Sequence, residues 1–237
     1  MRELPMRFSP GFHVIDALVP VWMAAEFAVF AAFAGDEPTA VDAVADQRPP
    51  DAPALLAAFA KMEGMEARFE EEKHLALLAA PLKSEGRLYF MAPGHLSRVV
   101  EKPRRSEVRI SPTELLVKGE DGVERIDLRQ SDDVRAFVTS LVSVFRGDEE
   151  ALESAYDVGY VADPTNDRAW TLTLTPRRDP LTKLMKLLRI KGTGLHVKTI
   201  EVIEPSGDRT VTRIVEVDVK RRFTAVEKEQ RFGIVPD

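Results

Sequence analysis

The sequence has 237 residues, a length that accommodates one sizeable hydrophobic core, so it predicts one folded domain and not two. A formal net charge of −6 disfavours nucleic acid as a partner, because phosphate backbones are bound by clustered basic faces. The chain contains no cysteine, which excludes disulfides, thiol catalysis and cysteine-type zinc sites.

The first 35 residues have the composition of a secretory signal peptide. Two arginines precede an apolar segment over residues 12–33, and an Ala-Phe-Ala sequence near its end resembles a cleavage site. Asp16 and Glu26 interrupt the apolar segment, so a packed amphipathic helix, or a start site assigned too far upstream, is the alternative. We expect a signal peptide over residues 1–35 and no stable transmembrane helix, which would need about 20 uninterrupted apolar residues.

Residues 36–53 are rich in acids, prolines and small side chains, which predicts a linker because this composition cannot bury a core. The folded domain is therefore expected over residues 54–237. Its first element is predicted to be a helix, with Asp51 and Pro53 as start signals. This helix would lay an apolar stripe either on a sheet core or over a hydrophobic cavity. The residues at helical spacing are Leu55, Phe59, Met62, Met65 and Phe69.

Alternation of apolar and polar residues then predicts a succession of strands. Asp121-Gly122 lies between the last two of them and is a strong hairpin signal. A helix is expected to begin at Asp132 and to end at Gly147, with apolar positions that include Phe137 and Leu141. The expected strand ranges are 68–78, 82–91, 96–102, 107–110, 114–118 and 124–128.

The second half of the chain continues with strands and short helices. Helices are expected over residues 148–155 and 181–188, and a strand over 169–175 carries Trp170, Leu172 and Leu174 on one face. Many antiparallel strands with helices inserted between them predict an α+β fold built on a strongly curved antiparallel sheet. The other expected strands cover residues 156–162, 197–204 and 209–219.

No catalytic or metal-binding motif stands out in the sequence. The four histidines are far apart, and none lies in a spaced metal motif. The acids at 70–72 alternate between strand faces and are expected at a solvated edge, with paired acid and base chemistry as the alternative. The basic runs at 102–105 and 220–222 are expected at solvated strand ends, with a docking patch as the alternative. Gly192 and Gly194 lack the third glycine and the following helix of a phosphate loop. We expect a protein that is not an enzyme and that uses no metal or cofactor.

The segment from Met65 to Arg98 carries the strongest family signal. A strand with Phe69 and Lys73 precedes Gly86-x-Leu88-x-Phe90-x-x-Pro93-x-x-Leu96-x-Arg98. This order resembles the LolA family of periplasmic outer-membrane lipoprotein carriers, and looser matches extend the resemblance over residues 55–232. The resemblance implies an unclosed, highly curved antiparallel half-barrel that is covered by helices around an apolar cavity.

Carried over to this chain, the resemblance places apolar side chains of the sheet and of the covering helices around that cavity. Ordinary core packing accounts for the same apolar positions equally well, since both need inward apolar side chains. The expected lining residues are Phe59, Met62, Phe69, Leu88, Phe90, Leu96, Phe137, Leu141, Trp170, Leu172 and Leu174.

The function implied by the resemblance is a periplasmic carrier that shields the acyl chains of a lipoprotein or another lipid during transfer towards the outer membrane. Its partners would be those acyl chains, an inner-membrane donor and an outer-membrane acceptor, and the carrier would be a monomer. Ala92 departs from the family pattern, in which a basic residue before the motif proline ties the lid by hydrogen bonds. The cargo could therefore be a glycolipid, an aryl polyene lipid or another lipidated product. The alternative is a non-enzymatic envelope sensor or adaptor on the same fold.

Overall fold

The computed structural model describes residues 48–235. The expected signal peptide, and the expected linker up to residue 47, lie outside this range. Within the range, the side chains of five positions in the second helix are also not described. They are Asp133, Phe137, Ser140, Leu141 and Phe145. Within the described range the helices are α1 Ala52–Phe59, α2 Asp132–Arg146, α3 Glu149–Ala155, α4 Leu181–Leu184 and α5 Ala225–Phe232.

Eleven strands within residues 48–235 form one antiparallel sheet. Their spatial order is β6-β5-β4-β3-β2-β1-β11-β10-β9-β8-β7, so β6 and β7 are the two edges and the sheet is unclosed, as expected. The strands are β1 Gly64–His74, β2 Leu82–Met91, β3 His95–Lys102, β4 Ser106–Ile110, β5 Glu114–Gly119, β6 Gly122–Asp127, β7 Tyr156–Ala162, β8 Ala169–Pro176, β9 Leu187–Thr193, β10 His196–Ile203 and β11 Arg209–Asp218.

Two meanders make up this sheet, the first from β1 to β6 and the second from β7 to β11. They are joined where β1 pairs with β11, and α2 and α3 lie between them in the chain. One continuous cluster of buried apolar side chains contains residues of α1, α2 and α3 together with residues of strands from both meanders. The face that meets this cluster is called the inner face, and the sheet curves around the helices that cover it.

Helix α1 begins as expected and ends earlier than expected. The Asp51 side chain caps it by accepting a hydrogen bond from the backbone N–H of Ala54 at 2.9 Å. The prediction that Met65 and Phe69 continue this helix was wrong, because both lie on β1. Their spacing fits a strand as well as a helix, and the backbone of β1 pairs with both β2 and β11.

A second, smaller cluster lies on the opposite, outer face of the sheet. Tyr89 and Val99 are buried there beneath Phe232 of α5, and the Phe223 ring meets the Phe232 ring edge-on at 5.0 Å between centroids. Thr224 caps α5 in a capping box with Glu227. Helix α5 was not predicted from the sequence, although Thr-x-x-Glu at its start is a capping-box signal.

The remaining differences concern the end of one helix, the end of β1, which was expected to reach residue 78, and β9, which was not predicted. Helix α4 ends at Leu184, so the prediction that Leu188 belongs to it was wrong. Leu188 lies on β9 and pairs with Leu174 and Val202 of the neighbouring strands. The alternation of Leu188 and Ile190 into the core is typical of a strand, and pairing on both sides stabilises it.

Candidate functional site

Nine of the eleven expected lining residues lie together on the inner face and beneath α1. Leu88, Phe90 and Leu96 belong to one buried cluster with the β8 side chains Trp170 and Leu172, and none of these side chains is more than 1 % exposed. Phe59, Phe69 and Leu174 belong to the same cluster, and Met62 is half-buried against it. Phe137 and Leu141 lie on α2, and their side chains are outside the described part of the structure.

Helices α1 and α2 are packed against each other at the end of α2. Gly147 follows α2 in the left-handed conformation, with φ of 61°, and is the helix-ending residue that the sequence predicted. A Cβ atom at Gly147 would lie 2.3 Å from the carbonyl oxygen of Leu56 on α1. Glycine is required here because the backbone is left-handed and because a Cβ atom would clash with α1. It therefore sets how closely the two covering helices approach each other.

The β2–β3 turn lies against these helices. The backbone N–H of Ala92 donates to the carbonyl oxygen of Glu63, just before β1, at 3.0 Å. Gly94 faces α2, and a Cβ atom added to it would lie 3.1 Å from a methyl group of Val142. Ala92 itself is exposed. Ala92, the residue that departs from the family pattern, thus lies two residues before Gly94, which contacts α2.

Trp170 ties the second meander to this interior. Its indole N–H donates to the carbonyl oxygen of Gly194 at 2.6 Å, which satisfies the only polar group of the buried ring. The Tyr160 ring stacks on the Trp170 ring with centroids 6.4 Å apart, and its hydroxyl donates to the carbonyl oxygen of Pro49 at 2.5 Å. The chain that enters α1 is therefore attached to the β7 edge.

A buried polar cluster on the inner face was not expected. The prediction that the acids at 70–72 lie at a solvated edge was wrong for Glu71, because β1 is a central strand and Glu71 is 7 % exposed. Arg98 donates to both carboxylate oxygens of Glu71 at 3.2 Å. The hydroxyls of Thr212 and Ser84 also donate to this carboxylate, at 2.8 and 3.1 Å. These bonds compensate the desolvation of the charges.

Phe69 and Gly86 give Arg98 its position. A Cβ at Gly86 would lie 2.0 Å from the carbonyl oxygen of Val99 and 3.0 Å from the Phe69 ring. The absence of a side chain therefore lets the Phe69 ring lie across β2. The guanidinium carbon of Arg98 lies 4.4 Å from the centroid of this ring, a cation–π distance, and the guanidinium group reaches Glu71. The glycine of the family pattern thus serves a specific contact.

A second buried ion pair extends the polar cluster. Lys73 donates to Glu204 at 3.1 Å, and both side chains are less than 10 % exposed. Burial raises the pKa of the Glu204 carboxyl, and the hydrogen bond from Lys73 acts in the opposite direction. Along β1 the inner face therefore changes from apolar at Met65 and Phe69 to charged at Glu71 and Lys73.

The polar end of the inner face borders a surface cleft of about 340 Å³. Glu71 and Ser84 line this cleft from the inner face, and Lys83, Lys102 and Arg213 line it from the surface. The side chain of Lys83 lies 3.2 Å from Glu72 and, by its hydrogen bond, lowers the pKa of that carboxyl. The inner face therefore has an apolar end beneath α1 and a polar end at the cleft.

Neither a metal-binding group nor a membrane-spanning helix is found in the described part of the chain. Residues 48–235 contain no group of three or more histidine, cysteine or acidic side chains that could hold a metal ion. In the same range no helix has the length and apolar character needed to cross a membrane. Of the histidines, burial lowers the pKa of His95 and of His196.

Comparison with protein families identifies the class of this chain. The family model described as outer membrane lipoprotein carrier protein LolA-like matches residues 44–225. The chain therefore belongs to the LolA-like family, and the resemblance inferred from the sequence is confirmed. Family and fold together suggest a lipid- or lipoprotein-binding role of the carrier type. No curated protein matches the sequence.

The solved structures that match this chain are distant from it in sequence. A DUF1329 family protein from Desulfovibrio piger is 11 % identical, with a TM-score of 0.44 and coverage of 76 % of this chain and 96 % of its own. A LolA superfamily protein from Nitrosomonas europaea is 10 % identical, with a TM-score of 0.39 and coverage of 73 % and 94 %. A chain from the MucA/MucB complex of Pseudomonas aeruginosa is 15 % identical, with a TM-score of 0.41 and coverage of 71 % and 56 %. Sequence identities and TM-scores this low do not identify a cargo.

Proposed function

We propose that this protein is a periplasmic carrier that shields the acyl chains of a lipoprotein or another lipid during transfer towards the outer membrane. It would receive the lipid from an inner-membrane donor and pass it to an outer-membrane acceptor, acting as a monomer. The observation that carries the proposal is the shared apolar interior between the inner face and the covering helices, in a member of the LolA-like family.

The physical need for such a carrier follows from the cost of exposing acyl chains to water. Each exposed CH₂ group costs about 0.8 kcal/mol, so a lipid with long chains does not cross an aqueous compartment unshielded. Shielding has to be reversible, because the lipid must leave again. Apolar contacts between helices and a sheet meet both requirements without making or breaking a covalent bond.

The inner face supplies the apolar surface, and the covering helices supply the part that can move. The proposed lining includes Leu88, Phe90, Leu96 and Trp170 on the sheet, with Phe59 on α1. In the described structure these side chains pack against one another. We propose that α1 and α2 move away from the sheet on loading, so that acyl chains replace their contacts with the inner face.

Two neighbouring valines provide a matched test of this proposal. Val100 is 3 % exposed on the inner face, whereas Val99 is 4 % exposed in the cluster on the outer face. Replacing either with threonine keeps the shape and buries a hydroxyl group, which costs about 1–3 kcal/mol. Both variants should lose similar stability, but only Val100→Thr places the hydroxyl beside a bound acyl chain.

The measurement is the affinity for a fluorescent fatty-acyl probe, with unfolding in urea followed on the same samples. Val100→Thr should weaken probe binding by about fivefold or more, and Val99→Thr should leave it near the wild-type value. Equal effects of the two variants, or a wild type that takes up no probe, would contradict the carrier proposal. A sensor or adaptor on the same fold would give the second of these results, a wild type that takes up no probe.

A further inference from the structure

The loop between β1 and β2 exposes a continuous apolar surface. Residues 75–82 read Leu-Ala-Leu-Leu-Ala-Ala-Pro-Leu, eight apolar residues in succession, and are called the apolar loop here. The side chain of Leu77 is 97 % exposed, and those of Leu78 and Leu82 are 46 % and 48 % exposed. Isolated exposed leucines are common on protein surfaces, but a run of this length is not.

The apolar loop is held in place at its base. The backbone N–H of Ala76 donates to the Asp208 carboxylate in the β10–β11 turn at 2.9 Å. A turn within the loop is closed by the bond from the N–H of Leu78 to the carbonyl oxygen of Leu75 at 3.0 Å. Pairing of the flanking strands continues up to Lys73 and Leu82. Leu77 is therefore presented outward by a fixed scaffold.

Basic side chains border the apolar loop. Lys83 follows it directly, and Lys102 comes to the same end of the sheet because β3 pairs with β2. The side chains of Lys83, Lys102 and Arg104 are 72 %, 76 % and 78 % exposed, and Arg105 is exposed as well. Together, Lys83, Lys102, Arg104 and Arg105 are called the basic rim.

Three of the four cations of the basic rim each pair with a carboxylate. Lys83 pairs with Glu72 at 3.2 Å, Lys102 with Glu85 at 2.5 Å and Arg104 with Glu120 at 3.5 Å. Ion pairs of this exposed kind contribute little to stability, so the cations can exchange their carboxylate for a phosphate at small cost. The sequence alone favoured a solvated strand end for residues 102–105, and it did not show that the apolar loop lies beside them.

We infer that the apolar loop and the basic rim form a docking edge for an anionic phospholipid bilayer. Leu77 and Leu78 would enter the boundary between headgroups and acyl chains, and the basic rim would contact the lipid phosphates. A narrow loop without polar side chains suits a fluid lipid surface, whereas a protein partner would need a pocket shaped to receive it. The inference rests on the proposed carrier function for its purpose, because docking would bring the cleft beside Glu71 to the membrane.

Vesicle binding of the purified, lipid-free protein tests this inference. The vesicles contain either phosphatidylcholine alone or a mixture with phosphatidylglycerol, and bound protein is separated by sedimentation. Wild type should bind the mixed vesicles about tenfold or more tightly than the neutral ones, and added salt should reduce this difference. Leu77→Ser should weaken binding to both by about tenfold. Val226→Ser, a matched change at a 61 % exposed valine on α5, should have no effect.

The absence of cysteine in the chain allows a direct measurement of insertion. Leu77→Cys and Val226→Cys each give one thiol for an environment-sensitive dye. The dye on Leu77→Cys should shift to shorter wavelength when mixed vesicles are added, and the dye on Val226→Cys should not. Because Leu77 makes so little contact with the rest of the protein, its replacement should not change the circular dichroism spectrum or the urea midpoint.

Several results would overturn the inference. Wild type that fails to bind mixed vesicles, Leu77→Ser that binds like wild type, or a dye that shows no shift would each do so. A dimer in sedimentation velocity that Leu77→Ser converts to monomer would assign the apolar loop to a second copy instead. Uptake of the acyl probe in vesicle-free buffer is measured separately, so failure of docking and failure of the carrier function remain distinguishable.

Discussion

Arg98 and Glu71 lie 27 residues apart in the chain and meet in the interior, where one guanidinium nitrogen is 3.2 Å from both carboxylate oxygens. Their side chains are 3 % and 8 % exposed. Two charges at this depth are stable only together, because each would otherwise be desolvated without compensation. The pair therefore fixes how β3 lies relative to the central strand β1.

Removing one partner of this pair should destabilise the protein more than removing both. Arg98→Met leaves the Glu71 carboxylate buried without its cation, which should cost about 3–5 kcal/mol in the free energy of unfolding. Glu71→Met should cost a similar amount, and the double variant should recover a large part of the loss. Urea unfolding of the four proteins measures this coupling. Simple addition of the two single effects would show that the pair does not act as a unit.

The location of this pair shows where prediction from sequence succeeded and where it stopped. Alternation correctly indicated ten of the eleven strands described, because burial of one sheet face leaves a period of two in the sequence, but it did not indicate β9. Alternation also placed Glu71 on the sheet face opposite to that of Glu70 and Glu72. It carries no information, however, on which strand of the sheet is central. That depends on the pairing of β1 with β11, which joins residues more than 130 positions apart.

Local ambiguity explains the error at the end of α1. Met62, Met65 and Phe69 continue the spacing of Leu55 and Phe59, so the helical interpretation was consistent with the residues themselves. Tertiary pairing on both sides of β1 decides in favour of a strand. Nine of the apolar residues expected to line the interior are found together in it or against it, since inward apolar positions are visible in the sequence.

Acidification should weaken the packing of α5 on β3. Burial lowers the pKa of His95 below its ordinary value of 6.5, and its ring meets the Phe232 ring at 6.2 Å between centroids. The unfolded chain therefore binds more protons than the native state as the pH falls through about 6.5, so stability decreases there.

The test compares unfolding in urea between about pH 7.5 and pH 5.5 for wild type and His95→Gln. Wild type should lose more stability than His95→Gln over this interval. His74→Gln, at a histidine whose side chain is 42 % exposed, is the matched control and should follow wild type. A stability difference between wild type and His95→Gln that is independent of pH would contradict the expected titration.

Ala92→Arg should slow the release of bound lipid. Ala92 is exposed in the turn whose Gly94 contacts α2, so an arginine fits there without disturbing the core and is expected to hydrogen-bond to the covering helices. A hydrogen bond from a charged donor stabilises by about 1.5–3 kcal/mol, which should slow opening without preventing loading.

Stopped-flow transfer of a fluorescent lipid to acceptor vesicles measures this release. Val123→Arg is the control, because it adds the same side chain at an exposed position of the edge strand β6. Release from Ala92→Arg at the wild-type rate or faster would show that the turn does not restrain the covering helices.

Export should remove the first part of the chain. If residues 1–35 are a signal peptide, the periplasmic fraction should contain a protein that lacks them, and mass determination should place its new terminus near residue 35. A protein that retains Met1 and stays in the cytoplasm would contradict the periplasmic part of the proposal.

Native mass spectrometry of the protein purified from its own cell envelope tests the carrier function most directly. A carrier retains part of its cargo through gentle purification, because acyl chains inside an apolar interior leave slowly into water. We predict a species heavier than the polypeptide by the mass of an acyl lipid, which organic extraction removes and returns as free lipid. A polypeptide found only at its bare mass, which also takes up no fatty-acyl probe when one is supplied, would contradict the account.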